Sequence, residues 1–289
     1  MDRHTIIFTT DKRQKHLGEL LPGSRELCSF PEYERRRKLQ EENTEKIYVL
    51  PTPVSKLEQN ETIKEKIKEL LKNESKKENI TVFGGAITRE WKTFLEEHEI
   101  RYIDFMEQKE VVEGNAKITA EGVIAELLSK SSVSMEGQQV LVTGFGRCAK
   151  SIAKKLTALG AKVIILARSE AAREEAFALG YEAYDFPCGK CIASQTNTLI
   201  NTVPALVVTK EILERLPKDA IVLDIASKPG GVDFRAAKEL GIYAKLSLGL
   251  PGIYTTKSSA MLFERAISEY APVNNDRNGG RLWIFQIII

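Results

Sequence analysis

Histidine is almost absent. His4, His16 and His98 are the only three in 289 residues, so no imidazole after residue 98 can serve as acid, base or metal ligand. Cysteine is sparse as well: four in this length suit a reducing cytoplasm rather than a disulfide framework. Neither sign of charge is in excess, with 42 Lys and Arg against 40 Asp and Glu and a net charge of +2. That balance gives no pointer to nucleic acid or to an anionic membrane. No apolar run approaches the ~20 residues that span a bilayer, and the opening Met1-Asp2-Arg3-His4-Thr5 lacks signal-peptide character. A cytoplasmic protein is expected. The remaining composition, 43% hydrophobic and 28% charged, is that of a globular chain long enough for about two domains.

What is present centres on one stretch. Gln138-Gln139-Val140-Leu141-Val142-Thr143 reads as a buried strand, Gly144-Phe145-Gly146-Arg147-Cys148-Ala149 as a turn, and residues 150–159 as the continuing helix. The pattern is G-x-G-x-x-A. Gly144 permits the tight turn, Gly146 lets backbone approach a pyrophosphate, and Ala149 is small enough for helix and strand to pack. Backbone N–H groups at the helix start then hold the anion, with Phe145, Arg147 and Cys148 in the turn around it. Ile152, Ala153, Leu156 and Leu159 give the helix an apolar stripe, Gly160 stops it, and a second strand follows at residues 162–167.

The end of that second strand selects the dinucleotide. NAD sites usually place Asp or Glu there for the ribose 2′-hydroxyl. Here the position holds Arg168-Ser169, a guanidinium and a hydroxyl suited to a 2′-phosphate, so NADP is favoured over NAD. Further strands at 198–204, 220–226 and 243–248 should run parallel to the first two, giving a Rossmann-type doubly wound sheet. Ligands on such sheets sit beyond the carboxyl ends of the strands. Thr202-Val203-Pro204, Asp224-Ile225-Ala226 and Leu250-Pro251-Gly252 occupy those ends and are the candidate nicotinamide pocket.

The first ~110 residues read as an α/β domain of their own, with strands at 4–10, 47–50, 80–83 and 100–103 and helices following Asp11, around Ile63–Leu71 and around Trp91–Leu95. Charge-rich residues 32–47 read as a solvated helix or loop. The expected division is an N-terminal substrate or partner domain at 1–114, an interdomain helix and linker at 115–134, the NADP-binding domain at 135–254, a helix at 255–272 returning to the first domain, and a tail at 273–289. The apolar tail end could pair on a sheet edge, bury a partner contact, or do neither. Cys188-Gly189-Lys190-Cys191 is a single C-x-x-C without further ligands nearby, and reads as a loop carrying two thiols rather than a metal site.

The chain resembles the A subunit of spore dipicolinate synthase. Carrying the resemblance are Asp11-x-Arg13-Gln14, Asn115-Ala116-x-Ile118-Thr119-Ala120-Glu121-Gly122, Gly144-Phe145-Gly146-Arg147, Asn201-Thr202-Val203-Pro204-Ala205, the run from Asp224 to Phe234, and Leu250-Pro251-Gly252. Thr9-Thr10 stand where the family usually has two glycines, and the final ~17 residues lie outside the resemblance. It implies a fold similar to D-2-hydroxyacid dehydrogenases, with the Rossmann-type sheet joined to an N-terminal flavodoxin-like α/β substrate domain across a cleft. It also implies NADP-dependent oxidation of dihydrodipicolinate to pyridine-2,6-dicarboxylate in the mother cell of a sporulating bacterium. The partner implied is a flavoprotein B subunit carrying FMN, and a homo-oligomer is expected as well.

The chemistry has a simple logic. A dihydropyridine that loses a hydride and a proton becomes aromatic, so a carboxylate, a lysine or water suffices as base. Asp224 and Lys228 are the catalytic candidates. A flat dianion calls for Arg, Lys, hydroxyls or helix starts, which singles out Arg13, Thr119, Lys228 and the Thr255-Thr256 step. A D-2-hydroxyacid dehydrogenase needs a His acid–base, and none follows His98. A shikimate-dehydrogenase-like reductase needs a Lys–Asp pair in the first domain, and no convincing one is there. A non-catalytic NADP-binding subunit of the same complex is the alternative of a different class.

Overall fold

The structure, a computed structural model, describes residues 3–21, 24–27, 45–76, 80–270 and 281–286. The chain forms two compact units: Met1–Asn115 with Thr256–Ile289, and Ala116–Thr255. Each contains one six-stranded sheet.

The first unit opens with β1 (Arg3–Thr9) and α1 (Lys12–Leu20), followed by β2 (Ser24–Leu27) and β3 (Glu45–Val49). A 3-10 turn (Val54–Gln59) leads into α2 (Glu61–Ser75), then β4 (Ile80–Gly84), α3 (Arg89–Glu97) and β5 (Arg101–Asp104). Strand β4 is buried throughout because helices cover both faces of a parallel sheet. Helix α2 turns Ile67, Leu70 and Leu71 inward, as its spacing requires. Charged residues 32–44 lie outside the described residues, as does Gly23.

The described part of the tail is not an edge. Arg281–Gln286 forms a strand of this sheet and pairs in parallel with β1 on one side and β2 on the other. The order is β2, the tail strand, β1, β3, β4, β5. It is the flavodoxin-like order 2-1-3-4-5 with one strand inserted, and every pairing is parallel.

Helix α4 (Lys109–Lys130) begins six residues earlier than the sequence suggests and runs through both units' segments. In the second unit come β6 (Gln139–Thr143), α5 (Arg147–Ala158), β7 (Lys162–Leu166), α6 (Glu170–Ala178) and β8 (Glu182–Tyr184). Then follow α7 (Gly189–Ala193), β9 (Thr198–Asn201), α8 (Lys210–Leu213), β10 (Ile221–Asp224), α9 (Phe234–Leu240) and β11 (Tyr243–Leu246). The C-x-x-C segment is therefore not a loop. Cys188 ends a 3-10 turn and Cys191 sits in α7.

The second sheet has the order β11-β10-β9-β6-β7-β8, all parallel. Strand order reverses between β6 and β9, so ligand-binding loops belong at the carboxyl ends of those two. Finally α10 (Thr256–Tyr270) packs into the first unit, where Phe263 stacks on Phe105 at 4.5 Å between centroids and Phe105 on Phe83 at 5.7 Å.

Candidate functional site

At the point of reversal, Gly144 adopts φ +83, a conformation that a side chain strains. A Cβ there would also come within 2.7 Å of Thr202 Oγ1. Thr202 closes the neighbouring turn by donating from Oγ1 to the Thr143 carbonyl at 2.7 Å. Gly146 is the N-cap of α5 and gives the helix no side-chain cap. A Cβ on Gly146 would meet nothing within 4 Å, so the space over the uncapped helix start is open. Uncapped N–H groups beside open space fit a pyrophosphate, which a methyl group would displace. Phe145 turns its ring into the core against Tyr181, Arg147 is exposed, and Cys148 is half-buried, its thiol pushed up by burial despite Arg147.

Beyond β7, Arg168 is exposed, and its side chain makes no hydrogen bond or ion pair among the described residues. Ser169 caps α6, accepting from Ala172 N at 3.3 Å. Arg173 was not anticipated. Its Nη1 donates to the carbonyls of Ala167 and Arg168, each at 2.9 Å, and so braces the turn from which Arg168 projects. The second guanidinium five residues on was the only available signal.

Asp224 is fully buried. Its Oδ1 accepts from Asn201 Nδ2 at 2.8 Å and from Ala226 N at 3.0 Å, and its Oδ2 accepts from Gly231 N at 2.6 Å. Thr143 Oγ1 donates to Asn201 Oδ1 at 2.5 Å, completing a chain of polar groups across the ends of β6, β9 and β10. A Cβ at Gly231 would collide with the carbonyl oxygens of Val203 and Ala205, so only glycine lets these loops approach so closely. This arrangement makes Asp224 an internal tie for the loop from 226 to 231, not an exposed carboxylate. Lys228 stands exposed on that same loop.

Of the remaining candidates in the second unit, Thr202, Val203 and Ile225 are half-buried and Pro204 is exposed. Leu250 belongs to the hydrophobic core, and Pro251 is buried beside it. Apolar residues following a strand end are drawn inward when a helix passes near, and Gly122 of α4 lies so close that a Cβ there would be 2.8 Å from Leu250 Cβ. Thr119 is buried, and Thr255 is exposed with φ +46.

A separate polar cluster occupies the carboxyl end of β1. Asp11 caps α1 and accepts from Arg13 N at 2.9 Å, while Gln14 Oε1 accepts from Asp11 N at 3.2 Å. Arg13 is buried and ion-paired to Asp11, Nη2 to Oδ2 at 2.7 Å, with its guanidinium 5.9 Å from the Phe263 ring centre. Lys56 reaches the same carboxylate at 2.7 Å. Burial alone would raise the Asp11 carboxyl, but Arg13 and then Lys56 outweigh it and hold it below the ordinary 3.8.

Known proteins resemble this chain in sequence and in fold. A family model described as "D-isomer specific 2-hydroxyacid dehydrogenase, NAD binding domain" matches residues 102–227. The A subunit of dipicolinate synthase from Bacillus subtilis (strain 168) is 29% identical over 188 residues, 65% of this chain and 63% of the relative. The chain resembles the dipicolinate synthase A subunit. That alignment spans less than two thirds of the relative's length. The crystal structure of the A subunit of dipicolinate synthase from Bacillus halodurans superposes with a TM-score of 0.73 at 24% identity, covering 94% of this chain and 98% of that one. The A chain of dipicolinate synthase from Bacillus subtilis gives 0.73 at 21% identity, covering 93% and 95%. The fold is thus the two-domain Rossmann-like α/β fold with an NAD(P)-binding domain. Among the described residues, no helix is long and apolar enough to cross a membrane.

Proposed function

We propose that this chain is the nicotinamide-binding subunit of a dipicolinate synthase. It oxidises dihydrodipicolinate to pyridine-2,6-dicarboxylate with NADP, alongside a flavoprotein B subunit carrying FMN, in the mother cell of a sporulating bacterium. The observation that carries the cofactor choice is Arg168: exposed and unpaired among the described residues, at the end of β7. A guanidinium at that position suits a 2′-phosphate and leaves a bare ribose hydroxyl without its usual carboxylate acceptor. The reading of the substrate rests on the resemblance to the A subunit of dipicolinate synthase.

NADP, when bound, supplies a hydride acceptor. The protein's own part is to seat and orient. Gly144 and Gly146 leave room for the pyrophosphate at the start of α5, and Arg168 and Ser169 take the ribose phosphate. Thr202, Val203, Pro204 and Ile225 line the strand ends beside it. Asp224 fixes the loop that presents Lys228, which we assign to the substrate's negative charge. The oxidation releases one proton as the ring becomes aromatic, and water accepts it without a strong base. Thr119 and Thr255 are proposed as further substrate contacts.

The buried, fully engaged Asp224 favours one second reading, a subunit that binds NADP without catalysing the oxidation. Purified chain, with and without the B subunit, is given dihydrodipicolinate and NADP while pyridine absorbance and NADPH are followed together. Equal formation of both supports the proposal. Pyridine dicarboxylate formed without NADPH supports the second reading instead.

A further inference from the structure

The cluster at the end of β1 has an unbalanced charge. One carboxylate, Asp11, serves two cations: Arg13 through Nε at 3.1 Å and Nη2 at 2.7 Å, and Lys56 through Nζ at 2.7 Å. The side chains are 5%, 14% and 27% exposed for Arg13, Asp11 and Lys56, so the excess positive charge sits in a place that water reaches poorly. Among the described residues, Asp104, at the carboxyl end of β5, is committed elsewhere, accepting from Ala86 N, Ile87 N and Met106 N. It does not neutralise the pair.

Unused hydrogen-bonding capacity lies in the same place. Arg13 Nη2 also donates to the Thr52 carbonyl, while no hydrogen bond from its Nη1 occurs among the described residues. The Thr52 hydroxyl is buried and has no partner among the described residues. It packs on Gly85, where a Cβ would lie 2.5 Å from Thr52 Oγ1. Lys56, the most exposed member, forms the solvent side of the cluster. A surplus positive charge with spare donors in a half-dry setting is stabilised by one more anion.

We infer that Arg13, Lys56 and Thr52 form a binding site for one carboxylate of a small acid. The acid's identity rests on the function proposed above, under which it is one of the substrate's two carboxylates. Arg13 and Lys56 donate charge-assisted hydrogen bonds, and the Thr52 hydroxyl adds a third. Asp11 holds the two cations apart and aligned, as a positioning residue.

The test is calorimetric titration of the full chain, without nicotinamide, in metal-free buffer. The probes are pyridine-2,6-dicarboxylate, pyridine-2-carboxylate, malonate and pyruvate. The variants are Lys56→Gln and Lys56→Arg, since Arg13 is too buried to replace without risk to folding. Lys56→Gln is expected to weaken binding about 10- to 100-fold, with Lys56→Arg recovering most of it. Absence of binding by every probe, or affinity unchanged in Lys56→Gln, overturns the site. Lys56-dependent binding of malonate or pyruvate but of neither pyridine acid upholds the site and overturns the substrate reading. Unchanged turnover of dihydrodipicolinate by Lys56→Gln upholds that reading and overturns the site.

Discussion

Asn201 and Asp224 are register partners on adjacent strands, and the amide Nδ2 donates to the carboxyl Oδ1 at 2.8 Å. Through this pair the ends of β9 and β10 are fixed to each other and to the loop from 226 to 231. Removing the carboxyl group strands Ala226 N and Gly231 N in a buried setting. Asp224→Ala should therefore cost about 3 kcal/mol of stability, since each orphaned buried donor costs roughly 1–3 kcal/mol. Denaturant titration followed by circular dichroism measures this, and an unchanged midpoint contradicts the role assigned to Asp224.

The two glycines of the elbow should separate fold from binding. Gly144→Ala places a side chain at φ +83 and against Thr202, a backbone cost of about 1–2 kcal/mol before the clash is counted. Gly146→Ala meets no atom of the protein and should cost at most about 1 kcal/mol as a poorer N-cap. Its methyl group nevertheless occupies the phosphate approach. Melting temperature should fall clearly only for Gly144→Ala, whereas dinucleotide affinity should fall for both.

The Asp11 ion pairs predict an acid dependence. A carboxyl held below its ordinary value of 3.8 contributes stability that is fully present above that pH and is lost as pH falls through the folded-state value. Asn caps a helix as well as Asp does, so Asp11→Asn removes the charge and keeps the cap. Above about pH 4 the variant should be less stable than the parent, and the two should converge as the pH is lowered. Parallel curves across this range would contradict the pairing.

Arg173 should act through Arg168. Arg173→Met removes both hydrogen bonds to the turn after β7, each worth about 1 kcal/mol. The expected result is weaker NADP binding with NAD binding unaffected, and partial recovery in Arg173→Lys. Equal loss for both dinucleotides would mean that Arg173 only supports α6.

Much of this was legible in the sequence for a local reason. Gly144, Gly146 and Ala149 answer to constraints within one strand, turn and helix, and alternating apolar strands and helices dictate a parallel sheet. What escaped depends on distant partners. The tail strand at Arg281–Gln286 pairs with Arg3–Thr9 and Ser24–Leu27, from the opposite end of the chain, and nothing in its own composition names them. Asp224 was visible as an acid at a strand end. Its burial, however, follows from the approach of Gly231 to the loop after Asn201. Arg13 was visible too, but Lys56 and Thr52 come to it from a turn some forty residues on. The C-x-x-C helix was missed because five residues are too few for a periodic pattern.

Everything proposed for the second unit depends on the elbow at Gly144–Gly146 and the guanidinium of Arg168 binding a phosphorylated dinucleotide. Calorimetric titration of the purified chain and of Arg168→Ala with NADP and NAD tests this most directly. NADP should bind more tightly than NAD to the parent chain. In Arg168→Ala, NADP affinity should fall about 10- to 100-fold while NAD affinity is retained. A chain that binds neither dinucleotide, or an unchanged preference in Arg168→Ala, would contradict it.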